Sequence, residues 1–336
     1  MRAQMVLLRL GVVVDRGIVW IIGLLLVTLS ACQTNVERAY PSRPLTVIVP
    51  WKAGGGTDTA TRALAAVLQD ELGQPVNVVN RTGGGGIVGH YALSQAQPDG
   101  YTLGAITVEI TMMHWTGLTP LDYTDYSPIA LVTVNPSAIT VRSDAPWNNV
   151  HDLIAALREN PGTLTASGTS LGGIWDLCRI GFLEAVGLDQ SAMPWVPSQG
   201  AAPALQELLA GGVDVVTSAL AEADALRRAG RVRTLALMAN ERLSVAPDVP
   251  TLKELGIDYA SEGGWMVLAA PANLPNARLE LLRVAVWNAS RQPEFSVPLE
   301  RAGFRLQHLT GDALQSFLRE EDDRNGILLN EAGLAL

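Results

Sequence analysis

Glycine-rich turns hold the residues whose types and spacing could do chemistry. Gly54-Gly55-Gly56-Thr57 follows the apolar, β-branched run Val47–Val49 and Pro50, and precedes apolar residues at helical spacing: Ala60, Ala63, Leu64, Val67, Leu68 and Leu72, stopped by Gly73. Asn80-Arg81-Thr82-Gly83-Gly84-Gly85-Gly86 follows the run Val76–Val79, and Ser167-Gly168-Thr169-Ser170-Leu171-Gly172-Gly173 follows Leu164–Ala166. Glycines between a strand and a helix let the chain present several N–H groups at the positive end of the helix. Such a turn can hold an anion.

The residues decide among the chemistries such turns serve. A phosphate loop needs Lys-Ser or Lys-Thr after its last glycine, and none of these turns has it. Gly84-Gly85-Gly86-Ile87-Val88-Gly89 fits a dinucleotide fingerprint, with Glu109 at about the right remove, but it sits in the second strand–helix unit rather than the first. Gly168-Thr169-Ser170-Leu171-Gly172 fits a nucleophile elbow, and Asp258 and His308 would complete a hydrolase triad in chain order. The remaining reading is carboxylate binding. Two turns, Gly54–Thr57 and Ser167–Ser170, would face each other across a cleft and grip an acid by main-chain N–H and hydroxyl groups, without a basic side chain. Trp51 and Trp265 would pack over the organic part of the ligand, and Asp58 would cap the helix and order its loop. Glu109 would repel a dianion unless it faces away, or else it would select an amino or hydroxyl group. His90, His114, His151 and His308 show no metal spacing, so no metal or cofactor is expected.

The elements that must position these turns alternate strand and helix from Leu45 onward, which predicts α/β architecture with mixed or parallel sheets flanked by helices. The alternation pauses over the turn-rich stretch 116–128 and restarts with extended runs at Ile129–Val134 and Ala138–Val141. Helices are expected over Asn149–Glu159, after Gly173, over Ala202–Ala210, Glu222–Ala229, Pro275–Ser290 and Gly311–Leu329. The plan is that of two similar halves, each with a glycine turn toward a shared cleft.

Composition restricts the partners. The chain has 336 residues, 48% hydrophobic and 17% charged, with a formal net charge of −9. That length suffices for two domains with proper cores, and so acidic a chain is a poor binder of nucleic acid. Arg2, Arg9 and Arg16 flank and precede the apolar run Ile18–Leu29, which ends in Leu29-Ser30-Ala31-Cys32. This is the pattern of an export signal, and the Cys placement resembles a bacterial lipobox with Cys32 lipidated. Residues 1–31 are then a lipoprotein signal peptide and 32–39 a tether, which places the protein in the periplasm or at the cell surface, anchored to a membrane. Beyond the leader the chain keeps Cys178 alone, so no internal disulfide is expected.

Pro50-Trp51-Lys52-Ala53-Gly54-Gly55-Gly56-Thr57-Asp58 resembles the first signature loop of the Bug-type substrate-binding proteins of tripartite tricarboxylate transporters. Asn80–Gly89 is similar to their second signature, and Pro98-Asp99-Gly100-Tyr101-Thr102-Leu103, Gly211-Gly212-Val213-Asp214 and Pro247-Asp248-Val249-Pro250-Thr251 match further marks. The resemblance spans nearly all of Tyr40–Gly333 and implies a type II periplasmic-binding-protein fold with a hinged cleft. Domain 1 would comprise 40–139 plus 263–336, and domain 2 would comprise 140–262. It implies a non-enzymatic, monomeric receptor that takes a small di- or tricarboxylate and hands it to membrane subunits. Trp51–Asp58, including Ala53, would form one ligand loop and Ser167–Gly173 the other, with Thr107 and the Ser198-Gln199-Gly200 turn lining the cleft. Two departures stand out. Trp51-Lys52-Ala53 replaces the commoner aromatic-Pro-Pro, and Pro197-Ser198-Gln199-Gly200-Ala201 lacks the family's lysine.

Overall fold

A computed structural model of the chain describes residues 40–336; the expected signal peptide, Cys32 and the expected tether lie outside the described residues. Residues Arg43–Leu336 form one compact unit built on a six-stranded and a five-stranded mixed sheet.

The first sheet contains β1 (Leu45–Val49), β2 (Val76–Asn80), β3 (Thr102–Thr107), β4 (Tyr126–Asn135), β10 (Gly264–Pro271) and β11 (Arg305–Leu309). Its order is β11-β4-β10-β3-β1-β2, with β1 parallel to β2 and β3, and β10 antiparallel to β3 and β4. The burial of each strand follows its place. Central β1 (LTVIV) is buried on both faces, whereas edge strand β2 (VNVVN) alternates between half-buried and exposed residues. The second sheet contains β5 (Ser137–Arg142), β6 (Ala166–Ser167), β7 (Trp195–Val196), β8 (Val215–Ala219) and β9 (Val232–Leu237), in the order β7-β6-β8-β5-β9.

The helices are α1 (Gly56–Leu72), α2 (Ile87–Ser94), α3 (Val150–Glu159), α4 (Ile174–Ala185), α5 (Ala201–Ala210), α6 (Leu220–Arg228), α7 (Asn276–Ser290), α8 (Pro293–Arg301) and α9 (Gly311–Glu331). Each expected helix forms, and α3 starts one residue later than expected, with Asn149 as its cap: Asn149 Oδ1 accepts from Asp152 N at 3.0 Å. α8 was not anticipated, because Pro293 and Pro298 read as breakers. Pro293 instead occupies the first turn, where its missing N–H costs nothing, and Pro298 lies inside the helix.

The chain passes from the first sheet to the second between Asn135 and Ser137, and returns at Gly264. The two crossings touch. A side chain at Gly263 would collide with the Asn135 carbonyl, and Gly263 holds φ +65°. Gly89 is a second packing glycine. A Cβ there would lie 2.5 Å from Pro50 Cα, so α2 can lie against the end of β1 only without one.

Candidate functional site

The turn after β1 is held by its own helix. Gly54 N donates to Asp58 Oδ2 at 2.8 Å, Asn80 Nδ2 donates to Asp58 Oδ1 at 2.8 Å, and Arg62 Nε donates to Asp58 Oδ2 at 2.9 Å. Burial pulls the Asp58 carboxyl upward, but these donors outweigh it and hold the group below the usual carboxylate range. Asn80 Nδ2 also reaches the Trp51 carbonyl at 2.9 Å, tying the turn to β2. The turn before α4 follows the same plan. Gly172 N donates to Asp176 Oδ2 at 2.9 Å, and Arg179 Nε donates to Asp176 Oδ1 at 2.8 Å.

Trp51 stands on a second network. Its Nε1 donates to Thr107 Oγ1 at 3.2 Å, and Thr107 Oγ1 donates to Glu109 Oε2 at 2.6 Å. His90 bridges the turn after β2 to the end of β3: Nδ1 bonds the Gly86 carbonyl at 2.9 Å, and Nε2 accepts from Thr107 N at 3.2 Å. Both roles suit the neutral ring, and burial pushes its pKa down to about 4.

A cavity of about 480 Å³ opens between the sheets, a volume suited to a small molecule. Of the residues singled out from sequence, Trp51, Ala53, Gly54, Gly55, Gly56, Thr57, Thr107, Thr169 and Trp265 line it. Asp58, Ser167, Gly168, Ser170, Gly172, Gly173 and Ser198 lie outside its lining. Several of these serve the scaffold. Ser167 Oγ donates to the Val196 carbonyl at 2.7 Å, and a Cβ on Gly168 would lie 2.5 Å from the Thr217 carbonyl. Ser198 Oγ donates to the Gly200 carbonyl at 3.1 Å.

The second sheet reaches the cavity through two helix starts, those of α4 and α5. Gln199, Gly200, Ala201, Ala202 and Pro203, at the beginning of α5, line the wall, together with Thr169, Ile174 and Trp175. The first N–H groups of a helix have no partner within it. The starts of α1 (Gly56, Thr57) and α5 (Ala201, Ala202) thus bring main-chain donors and positive dipole ends to one cavity. Of the expected Ser198-Gln199-Gly200 turn, Gln199 and Gly200 line the cavity and Ser198 does not.

Glu109 and Glu222 also line the cavity. Burial raises the Glu109 carboxyl above its usual range, against the Thr107 hydroxyl that lowers it. Burial, together with the charge of Glu109, pushes Glu222 up to about 7, although the Ala219 N–H opposes this. Sequence reasoning flagged Glu109 and missed Glu222, which reads locally as an ordinary first-turn glutamate. Lys52 is the basic residue of the lining, and it is exposed. His308 packs edge-on against Trp287 and Asp258 is exposed, so neither is arranged to serve Ser170.

Residues 60–334 match the Tripartite tricarboxylate transporter family receptor (TctC) family. The chain belongs to this family. It is a solute-binding receptor of the tripartite tricarboxylate transporter type, not an enzyme, and its fold is that of a type II periplasmic binding protein. A UPF0065 protein of Bordetella pertussis is 32% identical over 308 residues, covering 91% of this chain and 94% of the relative. The periplasmic binding protein BugD is 28% identical with a TM-score of 0.79, over 88% of this chain and 99% of BugD. MatC from Rhodopseudomonas palustris, solved with bound malate, is 28% identical with a TM-score of 0.75, over 86% of this chain and 100% of MatC. Among the described residues no helix is long and apolar enough to cross a membrane.

Proposed function

We propose that this receptor captures a small organic acid in the cavity between its sheets and delivers it to the membrane subunits of a tripartite transporter. The observation that carries the reading is the convergence of two helix starts, α1 at Gly56-Thr57 and α5 at Ala201-Ala202, on one cavity. A ligand carboxylate there accepts main-chain N–H bonds in a field that favours negative charge. Thr107 orients Trp51, which closes over the organic part. That MatC holds malate supports an acid of similar size.

The lobes hinge where the two crossings meet at Asn135 and Gly263, and because β5 begins at Ser137 the first crossing precedes the expected boundary at 139. A ligand that bridges both helix starts stabilises the closed arrangement, and the membrane partner recognises closure. Cys32 carries the lipid that keeps the receptor at the membrane, and the chain works as a monomer. Loss of radiolabelled palmitate from a Cys32→Ala variant checks the anchor.

A thermal-shift panel of mono-, di- and tricarboxylates tests the capture itself. A true ligand raises the unfolding temperature in proportion to the logarithm of its concentration. A flat response across the whole panel would contradict the reading.

A further inference from the structure

The cavity joins two acidic side chains from different sheets. Glu109 follows β3 of the first sheet, and Glu222 lies in the first turn of α6, after β8 of the second. They are close enough for the charge of Glu109 to raise the pKa of Glu222. The site of Glu222 is fixed by its neighbours: a methyl group on Gly56 would lie 4.0 Å from Glu222 Oε1 and 3.7 Å from the Phe304 ring. Glu222 Oε2 accepts a long bond from Ala219 N at 3.3 Å, and Glu109 Oε2 accepts from Thr107. Neither carboxylate forms an ion pair among the described residues, and Lys52 is exposed.

A dianion entering this cavity would favour the protonated forms of both carboxyls, whereas a cation would favour their ionised forms. Trp51, Trp175 and Phe304 line the same cavity. Carboxylates flanked by aromatic rings attract a cation by both charge and ring quadrupole. A separate observation also points to a ligand. Thr169 lines the cavity and is 8% exposed, yet its Oγ1 is buried without a hydrogen-bond partner.

We propose that Glu109 and Glu222 select an acid that also carries a cationic nitrogen. The nitrogen lies between the two side chains, and the carboxylate meets the helix starts. This rests on the reading of the cavity as an organic-acid site. Such a ligand is a zwitterion such as an amino acid or a betaine, and its two ends match the two kinds of group on the wall. Diacids without the nitrogen fit by size but leave both carboxyls without a cationic partner.

Calorimetry with matched pairs tests this: succinate against aspartate, and butyrate against 4-aminobutyrate and its N-trimethyl derivative. The expected result is that in at least one pair the nitrogen-bearing member binds at least about tenfold more tightly. Glu222→Gln and Glu109→Gln, each matched in size, should bring that ratio toward one. Equal or tighter binding by the plain acid in every pair overturns the inference and leaves the capture reading standing. So does a ratio that neither variant moves. No binding by any member sinks the capture reading, and the inference with it.

Discussion

Trp51 and Thr107 are joined by a 3.2 Å hydrogen bond from the indole Nε1 to the hydroxyl Oγ1, which pins the entry to the first glycine turn against the end of β3. The same hydroxyl donates to Glu109, and the same residue's N–H bonds His90. One threonine therefore aligns a cavity wall, an acidic lining residue and the turn after β2.

Replacing Thr107 by Val keeps the shape and removes the hydroxyl. The Trp51 N–H then lacks its acceptor and Glu109 its donor, for a loss of about 1–3 kcal/mol. Urea unfolding measures the loss. An unchanged midpoint would show that the hydroxyl bonds contribute nothing to the fold.

Gly89→Ala puts a methyl group where 2.5 Å separates it from Pro50 Cα, with the Arg81 carbonyl at 2.8 Å. Both obstacles are main chain and cannot rotate away. The expected cost is about 1–3 kcal/mol or more, with α2 pushed off β1. A variant as stable as wild type would contradict the close packing of this helix.

The pH dependence of stability separates half-buried Glu222 from buried His90. Glu222 is held near 7 in the folded chain against an ordinary value of 4.5. Its contribution is full below about 4.5 and is lost as pH rises through about 7. His90 is held at about 4 against 6.5, so its contribution is present above 6.5 and is lost as pH falls through about 4. The slopes oppose each other in the mildly acid range, and the Glu222 slope acts alone near neutrality. Glu222→Gln should therefore gain stability relative to wild type as pH rises from about 5 to about 8. Urea midpoints that run parallel across that range would contradict the burial of its charge.

Ser170→Ala should leave acid affinity within about twofold, a change worth less than ~0.5 kcal/mol. Ser170 lies outside the cavity lining, and His308 is packed on Trp287. A large loss of affinity would place the hydroxyl in the cavity after all.

Much of this was legible in the residues. The strand–glycine–helix passage from Val47 to Leu72 announced itself by spacing, and the first turn does line the cavity. The second sheet's contribution was harder to read. The turn Ser167–Gly173 has the same look, but Asp176 engages its Gly172 N–H, and of the turn only Thr169 reaches the wall. Ala201 and Ala202 at the start of α5, beyond the expected Ser198-Gln199-Gly200 turn, offer bare main-chain donors, and these leave no mark in residue type. Glu222 was hidden for another reason. Its meaning comes from Gly56 and Phe304, which the chain brings beside it only after folding. Pro293 and Pro298 disguise α8, because proline disfavours a helix interior; Pro293 sits in the first turn that tolerates it, whereas Pro298 lies inside the helix.

Gly55 sits at the N-cap of α1 with extended φ −77° and ψ 172°, a conformation any residue adopts. Aspartate is a favoured cap there, so Gly55→Asp should fold with stability equal to wild type or a few tenths of a kcal/mol above it. Its carboxylate would take the donors of the first turn and repel an acid. Titration calorimetry of wild type and Gly55→Asp with the strongest acid from the thermal-shift panel is the most direct test. The account predicts heat from wild type and none from the equally stable variant; wild-type affinity in Gly55→Asp would contradict capture at the start of α1.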